Sequence, residues 1–350
     1  MGGADGKGVL RYVGIDDKQR RNLAIAFSRL PDVETLQINI FNLEMLEEDQ
    51  LEMLKNVQQL SPEDIEQMKA IQAENPDGRW DRPEQYLMGI AEVPHAQLRL
   101  QCWYLTMTAK SLKTDVAQWS SQLQVAFDSL VNSKALKTFL GIVLAFGNYM
   151  NGGTERGQAD GFGIEALTKL AAVKATSDGS LLDFCIREFA RRHPDQLDAL
   201  QQDILPARAA ARTNLVDEDQ SIRAFREQLD AATGMMKQVN EGPLQPYKGH
   251  TIDRMRDSLP QRMLIISEEV KELEDSVAEL HEVYGKVLDW FCMPGNARTK
   301  PTNDFMQMWV EFGGELEKVV GKLTKAGLLP APGTGTGTGA GGAPAASGTA

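Results

Sequence analysis

The sequence predicts an all-α protein, and three observations carry that expectation. Apolar residues recur three and four positions apart along almost the whole chain, the spacing of helices with one buried face. No run of alternating apolar and polar residues stands between hairpin turns. Proline and glycine punctuate the periodic segments where helices must end, at Pro31, Ser61-Pro62, Asn75-Pro76-Asp77-Gly78 and Val93-Pro94. With 42% hydrophobic and 25% charged residues, the 350-residue chain can build one large domain or two smaller ones around real cores.

The first helix is expected from Asp16 to Leu30, with Leu23, Phe27 and Leu30 on its inner face and Pro31 at its end. An acidic helical region follows from Phe41 to Asn75. Its carboxylates face only Lys55 and Lys69, the composition of a solvated face, and Pro62 suits the first turn of its second half. Beyond the turn at Asn75-Gly78, Tyr86, Leu87 and Ile90 lead to a long segment starting near Ala96, with Leu98, Cys102, Leu105 and Ala109 buried. Trp119, Leu123, Phe127 and Leu130 mark another helix between Val116 and Val131. Leu136, Phe139, Leu140, Val143, Leu144 and Phe146 cover most sides of a central core helix that stops near Gly152-Gly153.

The glycine-rich stretch GGTERGQADGFG joins that helix to IEALTKLA, and LLDFCIREFARR supplies a further amphipathic helix. From Ile266 through Val270, Leu273, Val277, Leu280, Tyr284 and Val287 to Phe291, spacings of four and three alternate. That is a coiled-coil seam, internal or between chains, closed by Pro294-Gly295. Phe305, Met308, Trp309, Phe312, Leu316 and Val320 form a last helix, and residues 329–350 read as a flexible Gly/Thr/Ala/Pro tail.

The formal net charge of -12 opposes a broad electrostatic grip on phosphate backbones, so nucleic acid is not an expected partner. Cys102, Cys185 and Cys292 lie far apart in apolar or aromatic surroundings and are expected as buried free thiols of a reducing compartment. MGGADGKGVLRY carries no apolar signal core, and Gly6 breaks the myristoylation pattern. The longest apolar run, Phe139 to Phe146, is too short to span a bilayer, so the cytosol is expected, with no membrane insertion.

Catalytic signatures fail one by one. His95, His193, His250 and His281 lack metal-ligand spacing. Gly152 to Gly157 copies the glycine spacing of a phosphate loop, yet Gln158-Ala159 stands where Lys and Ser or Thr must reach the phosphates. No GxSxG elbow is present, and no cysteine has an activated setting. The expectation is a binding protein with no catalytic residues, cofactor or metal.

Three segments stand out as binding candidates. In IDDKQRRNLAIAFSRL, Ile25 points away from the face of Leu23, Phe27 and Leu30, and Arg21, Asn22, Ser28 and Arg29 frame it. An apolar side chain ringed by hydrogen-bonding groups has the make-up of a binding hot spot, although single exposed aliphatics are also common. In SKALKTFLGIVLAFGNYMNGGTERGQADGFG, Gly147 interrupts an apolar helix at about 1 kcal/mol against Ala, which suggests close packing or a bend. Asn148 and Asn151 present amides beside Tyr149. In the continuation AAVKATSDGSLLDF, Lys174 sits in a connector before a helix, as a solvated lysine would.

The run from Gly147 to Lys174, GNYMNGGTERGQADGFGIEALTKLAAVK, resembles the signature of the formin homology 2 domain. IDDKQRRNLAIAF, LSPED after an acidic helix, and SKALKTF resemble the same domain in the same order, and the similarity extends from about Val9 to Trp309. The resemblance implies an elongated all-helical actin-binding domain over residues 9–328, after a flexible N-terminus of residues 1–8. It would comprise a knob holding Ile15 to Leu30, a coiled-coil region and a post holding GNYMN. It implies actin contacts at Ile25 and Lys174, with Arg21, Asn22 and Arg29 around the first. It also implies a dimer interface on the post at Gly147, Asn148, Tyr149, Met150, Asn151, Gly161 and Phe162. Such domains encircle filament barbed ends as head-to-tail dimers, nucleate filaments and stay attached while subunits add, without covalent chemistry. A cytoplasmic, cytoskeleton-associated protein is expected.

The sequence also departs from the family. Only Met1 to Val9 precede the knob-like segment, so the tryptophan-bearing lasso that grips the second subunit's post is expected to be missing. The 15 prolines are scattered, with no proline-rich segment to deliver profilin-bound actin. A fragment and a divergent member with impaired dimerisation are both open, and Gly234 to Pro260 has no place in the family pattern. The alternative function is a helical scaffold without actin activity, dimerising through the seam at 266–291. An unrecognised enzyme would rest on the glycine-rich loop alone.

Overall fold

The computed structural model describes residues 8–57, 60–155, 157–174, 179–243, 247–250, 252–293 and 299–329. Most of the expected flexible N-terminus, the tail beyond Leu329 and the Pro294-Gly295 stop lie outside the described residues. The fold is all-α. The chain divides into two compact units, one of Met1–Ala117 with Gln220–Ser276, the other of Gln118–Asp219 with Val277–Ala350.

The first unit holds β1 (Val9–Leu10), α1 (Asp17–Ala26), α2 (Val33–Asn42), α3 (Glu48–Asn56), α4 (Pro62–Glu74), β2 (Arg79–Trp80), α5 (Arg82–Glu92) and the start of α6 (Ala96–Asn132). Polar caps set the helix starts. Asp16 and Gln19 form a capping box on α1, Asp32 accepts from Thr35 N at 3.0 Å on α2, and Ser61 with Asp64 caps α4 ahead of Pro62. Phe27, Leu36, Ile40, Phe41, Leu54 and Ile90 fill the core, with Phe27 stacked on Tyr86 at 5.2 Å.

The second unit begins within α6 and holds α7 (Lys134–Met150), α8 (Leu181–Arg192), α9 (Leu197–Ile204), α10 (Ala207–Ala210) and the first turn of α11 (Leu215–Glu241). The remainder of α11, α12 (Arg254–Asp257) and the first half of α13 (Leu259–Trp290) return to the first unit. The end of α13 and α14 (Thr302–Lys325) complete the second. Its core is aromatic: Phe139 meets Phe189 at 5.8 Å and Phe312 at 5.6 Å, and Phe127 stacks on Tyr284 at 5.4 Å.

Several expectations are corrected. The first helix ends at Ala26 and tightens into a 3-10 turn over Phe27–Arg29, while Ile164–Lys169 is likewise 3-10. β1 and β2 form a two-residue parallel ladder, too short for an alternating pattern to register. The two helices expected on either side of Lys110-Asp115 are one helix of 37 residues, because that polar stretch contains no proline or glycine. In α7, only Ala135, Leu136, Phe139 and Val143 are buried; Leu140, Leu144 and Phe146 stop at half burial, so it is not a core helix on most sides.

Seven of the eight seam residues are buried within the chain and Leu273 is half-buried, which leaves little of the seam for a second copy. In α14, Met306 rather than Met308 is buried. Burial pushes the Cys102 and Cys185 thiols up to about 12, as expected of inert core cysteines. Cys292, however, is exposed. It follows α13 in the left-handed region (φ 52°), and its neighbours Phe291 and Met293 take the inward positions.

The stretch from Gly234 to Pro260 acquires a structural role in the first unit. α11 runs on to Glu241, and Arg256 donates to the carbonyls of Val239, Asn240, Gly242 and Pro243 at 2.8–3.3 Å, satisfying the helix end. Tyr247 packs on Phe41 at 5.2 Å, and Lys248 bonds Gln37. Asp253 pairs with the buried Arg99.

Candidate partner-binding sites

α1 is held by two anchors rather than by a buried stripe. None of its ten residues is fully buried. Arg20 donates to the Glu84 carboxylate at 3.0 Å and to Tyr12 O at 3.0 Å, and Glu84, with no exposed surface, also accepts from Tyr12 N at 3.2 Å. Phe27, directly after the helix, is the second anchor.

That arrangement turns the opposite side outward. Ile25 is 72% exposed, and Arg21, Asn22, Ser28 and Arg29 around it are all exposed. Arg21 Nε is steadied by Asp17 O at 3.1 Å, and Ser28 Oγ donates to Ile25 O at 2.6 Å. Leu23, expected in the core, is only half-buried. The same unit exposes Val13 at 69% and Met45 at 83%, two apolar side chains that sequence reasoning missed. Val13 lies before the first periodic segment, and Met45 falls in the region expected to be helical but sits between α2 and α3 with a left-handed backbone (φ 62°) that has no local sequence signal.

The candidate residues Lys174, Gly147 to Asn151, Gly161 and Phe162 belong to the second unit. Lys174 is exposed; its backbone bridges Ser180, and Val173 O accepts from Leu181 N at 2.8 Å. In the last turn of α7, Tyr149 is 85% and Met150 57% exposed.

The two asparagines differ. Asn148 spends its amide on the glycine-rich loop, donating to Ala159 O at 2.9 Å and accepting from Ala159 N at 2.8 Å. Asn151 is exposed, and its carbonyl accepts from Thr154 N at 3.1 Å and Thr154 Oγ1 at 2.7 Å. Gly157 lets the loop close, since a Cβ there would meet Asn151 O at 2.7 Å.

Next to this turn, the half-buried Phe162 lines a recess with Leu140, Leu144 and Trp290, floored by Gly141 and rimmed by Cys292. Lys137 Nζ lies 5.3 Å from the Trp290 ring centroid. Leu140 and Leu144 of α7 thus face this recess rather than the core.

Gly147 is not closely packed: nothing lies within 4 Å of a Cβ built there. Gly147→Ala should therefore stabilise the chain by up to about 1 kcal/mol, read as a raised urea midpoint with unchanged slope. A loss of stability would mean that the helix needs the glycine.

Among the described residues no group of histidine, cysteine and carboxylate side chains could hold a metal, and no single helix is long and apolar enough to cross a membrane. The described residues thus form an all-α fold with an exposed apolar residue, Ile25, on one unit and an open apolar recess on the other. The Formin Homology 2 Domain model matches residues 13–317, and the chain belongs to that family. It is 28% identical to "Formin" of Gallus gallus over 310 residues, covering 84% of this chain and 24% of that protein. It is 27% identical to "Formin-G" of Dictyostelium discoideum over 288 residues, covering 81% of this chain and 26% of that protein. It is also 28% identical to "Disheveled-associated activator of morphogenesis 1" of Mus musculus over 280 residues, covering 79% and 25%. The chain spans about a quarter of the length of these relatives.

Proposed function

We propose that this chain is a non-enzymatic actin-binding module of the cytoplasm, acting at filament barbed ends to control nucleation, capping or elongation. The observation that carries the reading is Ile25, 72% exposed on a helix pinned from behind by Arg20 and Glu84 and surrounded by exposed Arg21, Asn22 and Arg29. Lys174 supplies a second, charged contact from the other unit. Membership of the formin homology 2 family supports both assignments.

Self-association uses the end of α7. Tyr149 and Met150 project from it, and the recess of Leu140, Leu144, Phe162 and Trp290 is suited to an aromatic side chain of a second copy. Gly147, Asn148, Asn151 and Gly161 shape this surface rather than fill it.

Ile25→Ala should weaken binding to filament ends by about 2 kcal/mol or more, roughly thirtyfold, and Lys174→Ala should weaken it less. Both are measured as the protein concentration that half-changes barbed-end growth. Parental potency in both variants would remove these two residues from the interface.

A further inference from the structure

The side of α1 turned away from Ile25 covers a cavity. Leu23 and Ala26 of α1 face Met53 and Val57 at the end of α3 and Leu60 just before α4, above a floor that includes Leu87. Leu87 is buried, but the other five apolar side chains all stop at half burial. Singly such groups are ordinary, but five of them converging on one cleft form a contiguous apolar surface, the kind that marks a binding groove. This same cavity explains why α1 buries no residue fully and depends on Arg20 and Phe27.

The polar lining narrows the chemistry. The side chains of Gln19, Asn22 and Asn56 border the cavity, and among the described residues no lysine, arginine or histidine does. An anionic ligand would therefore find no counter-charge. The one carboxylate among the described lining residues, Asp64, already accepts from Tyr12 Oη at 2.6 Å and Ser61 N at 2.9 Å, which leaves little for a cation. The hydrogen bond to Asp64 raises the Tyr12 hydroxyl to about 12, so the aromatic wall also stays neutral. The cavity opens to solvent as a cleft, with Gln19, Asn22 and Asn56 exposed at its edge, and clefts with apolar walls and a few convergent polar groups are what small-molecule sites share.

We propose that the cavity beneath α1 binds an uncharged, flat organic molecule carrying an amide or similar polar group, and that its occupancy tightens α1 and so alters what Ile25 binds. The coupling half rests on the actin reading; the binding half does not. The ligand replaces absent packing partners of Leu23 and Ala26, and Asn22, which borders both the cavity and the Ile25 surface, links the two sites on the same ten-residue helix.

The test uses the full chain with indole-3-carboxamide as probe and indole-3-carboxylate as its charged counterpart, followed by saturation-transfer NMR. The carboxamide should bind with a Kd below about 1 mM, and the carboxylate at least about tenfold more weakly. Ala26→Phe and Met53→Phe fill the cavity from opposite walls, and each, once shown by circular dichroism to be folded, should abolish binding. No binding, equal binding of the carboxylate, or binding retained in both variants would overturn the proposal. The carboxamide should also change barbed-end potency about threefold or more in the parent but not in Met53→Phe. If the probe binds while potency changes only with Ile25→Ala, the coupling is refuted. If neither alters growth, the actin reading fails while the ligand site stands on its binding data.

Discussion

Replacing Arg99 with alanine should cost this protein about 3–5 kcal/mol, a large share of the stability of an ordinary domain. Arg99 is 1% exposed. Its guanidinium donates to both Asp253 oxygens at 2.8 and 2.6 Å, to Phe41 O at 2.9 Å and to Pro94 O at 2.8 Å, and lies 4.4 Å from the Phe41 ring centroid. Truncation leaves a nearly buried carboxylate without its cation and two carbonyls without a donor. Arg99→Lys should recover only part, because an ammonium cannot span a bidentate partner and two carbonyls at once. Urea unfolding measures both variants. A loss below about 1 kcal/mol would mean that Asp253 reaches water easily and that the segment from Tyr247 onward is loosely held.

Arg20→Ala should cost about 3 kcal/mol and also disable the face of α1 that we propose binds actin. Glu84 is fully buried, and its Oε1 accepts from Arg20 and from Tyr12 N, while Oε2 has no hydrogen-bond partner. Removing the cation leaves the carboxylate buried and uncompensated. The double variant Arg20→Ala/Glu84→Gln should recover at least about half of the loss, which identifies the stranded charge as its cause. Additive losses in a double-mutant cycle would instead show that the two side chains act independently. Because no apolar residue of α1 is fully buried, the single variant should also lose end binding at temperatures where the chain remains folded.

Helix content was legible because apolar spacing reports a buried face directly, as for Phe127 and Leu130 or for Phe312 and Leu316. Continuity was less legible. The polar run Lys110-Asp115 reads as a break, yet it only marks where the buried stripe of α6 is interrupted. Periodicity also cannot distinguish an apolar residue in the core from one facing an open recess. Leu140 and Leu144 therefore read as core and are half-exposed. The exposure of Ile25 followed from its helical phase alone. The buried pairs Arg20–Glu84 and Arg99–Asp253 were not legible, since their partners lie 64 and 154 positions apart. Neither was the cavity under α1, whose walls come from stretches far apart in the sequence, around α1, around the end of α3 and at Leu87.

The central claim is tested most directly by titrating the purified protein into actin monomers and following assembly together with barbed-end growth. The account predicts a dose-dependent change in end growth that Ile25→Ala shifts to about thirtyfold higher protein concentration, with accelerated assembly wherever self-association through the α7 recess occurs. Unchanged assembly and unchanged end growth at micromolar protein, from a folded chain, would contradict it.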